Sequence, residues 1–133
     1  MKKRSSVWRF AIAAIVAAAA VVPILMARGA AVPAEPREIR LVVRDMTFYL
    51  DGQTVPNPDL RVRAGEHIRL VLRNEDPGMQ PDFAVRPWQV VTPALEKKGE
   101  EAAVTFRVPD LRGTQIYSCT PHAEMMRGTI TIE

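Results

Sequence analysis

From Glu38 onward, apolar and polar residues alternate in short runs: Ile39, Leu41 and Val43, then Leu60 and Val62, then Ile68, Leu70 and Leu72, then Val104, Phe106 and Val108. Successive side chains of an extended strand point to opposite faces, so a period of two predicts strands with one buried face. Turn-forming residues break the runs at Asp51-Gly52, Pro56-Asn57-Pro58, Ala64-Gly65-Glu66, Asp76-Pro77-Gly78, Lys98-Gly99-Glu100 and Arg112-Gly113. A last pair of strands is predicted over Gln115 to Cys119 and Thr129 to Ile132. Many short strands, with no helical period between them, predict an all-β antiparallel sandwich or barrel over residues 38–133.

The first part of the chain has a different pattern. Lys2, Lys3 and Arg4 form a basic head, and after Arg9 the seventeen residues from Phe10 to Met26 carry no charge. That is the pattern of an export signal. Its apolar length falls at the border between the roughly 7–15 residues of a cleaved signal peptide and the roughly 17–25 of a spanning helix. Residues 1–26 are therefore expected to be a hydrophobic export or anchor helix. Small residues around Ala27 to Ala31 suit cleavage, and the basic head suits an uncleaved membrane tether. In either case the remainder is expected outside the cytoplasm, in a periplasmic or similar compartment. Residues 27–37 are small and proline-rich, as suits a linker.

The net charge of +3 changes meaning once this leader is set aside. Residues 1–34 contain no acid and five of the eighteen basic residues, which leaves thirteen basic against fifteen acidic residues from residue 35 onward and a net charge of −2. No basic stripe remains, so nucleic acid is not an expected partner. The carboxylates show no acid–base pairing and no phosphate-binding glycine loop occurs, so an enzyme is not expected.

Cys119 is the only cysteine. It can form no disulfide within the chain, and a lone thiol in an oxidising compartment calls for an occupant. Taken alone it reads equally as a small buried hydrophobe. Its neighbours supply that occupant: the segment from Cys119 to Met126 offers a thiolate, the imidazole of His122 and the thioethers of Met125 and Met126 within eight residues. Such soft and borderline donors suit copper, and a trigonal His/Cys set with a weak axial Met is the blue-copper arrangement.

The sequence Tyr117-Ser-Cys119-Thr-Pro-His122, followed by Met126-Arg-Gly128-Thr-Ile-Thr-Ile, resembles the ligand loop of cupredoxins of the amicyanin, pseudoazurin and azurin type. The likeness runs upstream through Val62 to Glu66, Ile68 to Asn74 and Pro109 to Gly113, covering residues 38–133. It implies a Greek-key β-sandwich, one copper ion cycling between Cu(I) and Cu(II), and electron exchange with a redox protein or a membrane oxidase. It also implies the ligands Cys119, His122 and Met126. Met126 is preferred because it directly precedes Arg127-Gly128, with Met125 as the short-loop alternative.

One corner of the pattern is missing. The resemblance requires a second histidine directly before an Asn or Asp, 38 residues ahead of the cysteine, and that position holds Pro81, followed by Asp82. The other histidine, His67, lies on the polar face of its strand and reads as a solvent-facing residue. Three arrangements stay open at this point. Copper could be held by three protein donors with an open position, or Asp82 (less readily Gln80) could add an oxygen, or the metal function could be lost. Asp82 could equally brace the loop through backbone hydrogen bonds. The functions expected are accordingly electron transfer at a mononuclear copper site or, as alternatives, Cu(I) binding and delivery or a metal-free accessory domain of a membrane oxidase.

Overall fold

A computed structural model describes residues 34–133. The expected N-terminal helix and most of the linker lie outside the described residues. The remainder consists of nine strands: β1 Arg37–Arg44, β2 Thr47–Leu50, β3 Leu60–Val62, β4 His67–Asn74, β5 Ala84–Val85, β6 Val90–Val91, β7 Glu101–Arg107, β8 Gly113–Ser118 and β9 Arg127–Ile132, with one 3₁₀ turn over Arg86–Trp88. β1 begins at Arg37, one residue ahead of the expected domain start, because Arg37 pairs across to Ile68 and bonds Glu66 through its side chain.

The strands form two sheets, ordered β2-β1-β4-β7 and β3-β9-β8-β5-β6. Neither is purely antiparallel, in contrast to the antiparallel expectation: β1 runs parallel to β4, and β3 parallel to β9. Alternation along a strand fixes which face is buried and says nothing of which strand lies beside it.

Between the sheets lie Ile39, Leu41, Val43, Leu60, Val62, Ile68, Leu70 and Leu72, all buried as their period requires. The centre is aromatic: Phe48, Phe83 and Tyr117 are fully buried, with Tyr117 5.3 Å from Phe83 and 5.4 Å from Phe48 between ring centroids. Each such side chain contributes about 1.5–3 kcal/mol through removal from water. β2, β5 and β6 do not follow from alternation, since runs of two to four residues are too short to show a period. Trp88 lies partly buried against the core, 6.0 Å from the Phe106 ring.

Candidate metal centre

β8 and β9 pair antiparallel from Gly113↔Ile132 to Ser118↔Arg127, and the segment 119–126 closes this hairpin. The ladder carries Cys119 to the end of one strand and Met126 to the start of the next, where the Cys119 N–H donates to the Met126 carbonyl at 2.9 Å. Inside the loop the His122 N–H donates to the Cys119 carbonyl at 3.2 Å, and the Met125 and Met126 N–H groups both donate to the His122 carbonyl, at 3.1 and 2.9 Å. The loop is thus a tight turn bonded to itself.

This winding brings the Cys119 Sγ to 3.7 Å from the His122 Nδ1. An ion about 2.3 Å from sulfur and about 2.0–2.1 Å from nitrogen would bridge that gap at an angle of roughly 115–120°, so the pair fits a single first-row metal ion as it stands. Cys119 and Met126 are both fully buried in the core cluster, whereas Met125 is 58% exposed. Of the two candidate thioethers, Met126 is the one inside the protein. Burial pushes the Cys119 thiol pKa up and the Asp82 carboxylate adds to this, against the backbone N–H groups of Asp82 and His122.

Asp82, only 8% exposed, accepts the Thr120 N–H on its Oδ1 at 2.5 Å. Its carboxylate therefore braces the residue that follows Cys119. Among the described residues no group of three or more His, Cys, Asp or Glu side chains is gathered as a metal site. Pro81, next to Asp82, is buried, and its carbonyl accepts the Leu95 N–H at 2.9 Å. The segment aligned with the missing histidine thus runs alongside the loop, with a side chain at position 81 that has no donor atom. His67 is exposed at the start of β4, as its strand position implied.

Other supports escaped sequence reasoning. The Asn57 side chain donates from Nδ2 to the Met125 carbonyl at 3.3 Å and accepts the Phe48 N–H on Oδ1 at 3.2 Å, so it ties the loop to β2. The buried Tyr117 hydroxyl donates to the Pro58 carbonyl at 2.7 Å. Gly128 lies against that ring: a Cβ there would come 2.3 Å from the Tyr117 oxygen. The Met-x-Gly spacing at the end of the loop therefore has a packing reason. The Pro56-Asn57-Pro58 turn was visible in the sequence, but not what it touches.

The ring of His122 is half-buried and borders two clefts. One, of about 570 Å³, is lined by Met79, Gln80, Asp82, Thr120 and Pro121 among others. The other, of about 470 Å³, is lined by Asp45, Met46, Asp76 and Met79, with Pro77 and Gly78.

Comparison with known proteins bears on this geometry. Residues 78–133, which hold Pro81, Asp82 and the whole ligand loop, match the family of copper binding proteins of the plastocyanin/azurin type. No curated protein matches the chain in sequence. Among solved structures, auracyanin A, a "blue" copper protein from the green thermophilic photosynthetic bacterium Chloroflexus aurantiacus, is similar with a TM-score of 0.57 at 18% identity, over 74% of this chain and 99% of that one. Auracyanin B is similar with a TM-score of 0.55 at 24% identity, over 73% and 88% of the two chains. The metal-binding domain of the Cu(I)-exporting P-type ATPase CopA of Streptococcus pneumoniae D39 reaches 0.54 at 14% identity, over 72% and 84%. With a two-sheet sandwich of this architecture the described domain has the cupredoxin fold, and its residues 78–133 match the copper-binding plastocyanin/azurin family.

Proposed function

We propose that the chain is an exported cupredoxin that holds one copper ion between Cys119, His122 and Met126 and passes electrons to a redox protein or a membrane oxidase. The observation that carries this reading is the 3.7 Å approach of the Cys119 sulfur to the His122 ring within a self-bonded loop whose two ends, Cys119 and Met126, are buried. Copper bound there would supply one-electron chemistry between Cu(I) and Cu(II).

The chain's own contribution is to keep the donors still. Cys119, His122 and Met126 are linked by main-chain hydrogen bonds, Asp82 fixes Thr120, and Asn57 fixes Met125. Donors held by backbone rather than by free rotamers move little between oxidation states, which favours fast transfer. Burial keeps the thiol protonated until a metal displaces the proton, so metal uptake releases one proton. The half-buried imidazole is the ligand nearest to solvent and to a partner. Residues 10–26 supply export and, if retained, a membrane tether.

A second reading, Cu(I) binding and delivery, is favoured by Pro81. The whole chain has only two histidines, and His67 is exposed on β4. A site of one thiolate, one imidazole and one thioether, without a second imidazole, suits the softer, lower-coordinate Cu(I).

The test is to add Cu(II) to the purified full-length protein and record the visible spectrum. Electron transfer predicts an intense thiolate-to-copper charge-transfer band that disappears in Cys119→Ser. Tight Cu(I) binding with no stable Cu(II) form selects the second reading. A metal-free protein that is fully folded and supports its partner complex would reduce the domain to an accessory role.

A further inference from the structure

Met79 and His122 line both clefts at the loop, so they form the wall between them. In the 470 Å³ cleft they are joined by Met46. The placement of Met46 is unusual. It occupies the second corner of the β1–β2 turn, where Asp45 and Met46 both adopt left-handed backbone, at φ 50° and 52°. Such turns favour Asn and Gly, because a side chain at positive φ is strained. The strain is held by Asp76 from the loop after β4: its Oδ1 accepts the Asp45 N–H at 2.8 Å and its Oδ2 the Met46 N–H at 3.0 Å.

The result is a thioether kept 36% exposed in a cleft that a second one, Met79, also lines. Met79 is partly buried against the core, and its carbonyl accepts the Asn74 side chain at 3.2 Å. A flexible apolar residue needed only for packing would be buried, and one needed only to make the turn would be Asn or Gly. Asp45 and Asp76 are the charged groups lining this cleft, and both also border the neighbouring one, which Arg44, Arg73, Glu75 and Lys98 line.

We propose that Met46 and Met79 form an outer thioether site for Cu(I), a receiving position from which the ion passes inward to Cys119 and His122. Thioethers select Cu(I) over harder ions, and Cu(I) accepts as few as two or three soft donors. The carboxylates at the rim favour a cation without binding it so tightly that it stays. In the inward step Cys119 and His122 displace the two thioethers, a copper–thiolate bond forms, the thiol proton leaves to solvent, and no electron is exchanged. The inward step rests on the copper reading of the loop, whereas the outer site does not.

The test uses the full-length chain with ¹³C-labelled methionine ε-methyl groups and Cu(I) added without oxygen. In Cys119→Ser, the Met46 and Met79 methyl resonances are expected to shift together and saturate at one ion per chain, with Met125 unmoved. In Met46→Leu/Met79→Leu, a near volume-conserving pair, the inner site should reach the wild-type copper occupancy but load from a Cu(I) chelate at least tenfold more slowly. Unmoved Met46 and Met79 methyls in Cys119→Ser overturn the outer site, as do shifts confined to Met125, which would mark the patch as a general apolar contact. Wild-type loading by the double variant overturns the inward route. If the outer methyls shift in Cys119→Ser while wild-type Cys119 takes up no copper, the outer site stands and the loop reading fails.

Discussion

The carboxylate of Asp82 separates two views of the site, and substituting it distinguishes them. It is 8% exposed and holds the Thr120 N–H at 2.5 Å, one residue past the proposed thiolate ligand. A hydrogen bond to a charged acceptor contributes about 1.5–3 kcal/mol, and a neutral one about 0.5–1.5. Asp82→Ala removes the acceptor altogether, so we expect a loss of about 2 kcal/mol in urea unfolding of the metal-free protein. Asp82→Asn keeps a carbonyl oxygen in place and avoids the desolvation of a buried charge, so it should stay within about 1 kcal/mol of the parent. As a brace, the residue acts on copper only by aiming Cys119, and lost outer supports cost metal sites about 10–100-fold in affinity. Copper titration should then show Asp82→Asn close to wild type, with its charge-transfer band retained, and Asp82→Ala at least tenfold weaker. A fully folded Asp82→Asn that loses the band would refute the brace and make the carboxylate a ligand. Equal stability of the two variants would refute the hydrogen-bond argument.

Other outcomes follow from the same geometry. Pro81→His should create or greatly strengthen a blue-copper spectrum, and an unchanged spectrum would mean that the missing corner lies elsewhere. Gly128→Ala would drive a methyl into the Tyr117 ring; overpacking and the broken bond to Pro58 predict a loss of about 2–4 kcal/mol, and a urea midpoint unchanged within error would contradict the packing. The Arg37 hydrogen bond holds the Glu66 carboxyl below its ordinary value, so its stabilising contribution is complete above the ordinary glutamate range and fades as pH falls through the lower folded value. Glu66→Gln should therefore flatten the acid limb of the stability profile. Burial raises the Tyr117 phenol; its contribution is complete below the ordinary tyrosine value of about 10 and fades as pH rises beyond it, so Tyr117→Phe should lessen the alkaline dependence of unfolding.

The faces of the longer strands, most of the turns and the donor chemistry of the loop were legible in the residue order. Those properties are local: alternation along β1 and β4 marks Ile39, Leu41, Ile68 and Leu70 as buried, and Cys119, His122, Met125 and Met126 stand close together in the chain. Local order did not settle which methionine turns inward, and the family likeness that favoured Met126 gave no contact to explain it. The fold buries Met126 and exposes Met125 because β9 begins in register with β8, with Ser118 opposite Arg127.

Packing of the whole domain set the parallel pairing of β1 with β4, the grip of Asp82 on Thr120 across 38 positions, the reach of Asn57 to Met125 across 68, and the shared cleft of Met46, Met79 and His122. Hydrophobic alternation specifies a buried face without specifying its neighbour. These long-range contacts depend on how two twisted sheets stack, a property of the whole packed core rather than of any short stretch of chain.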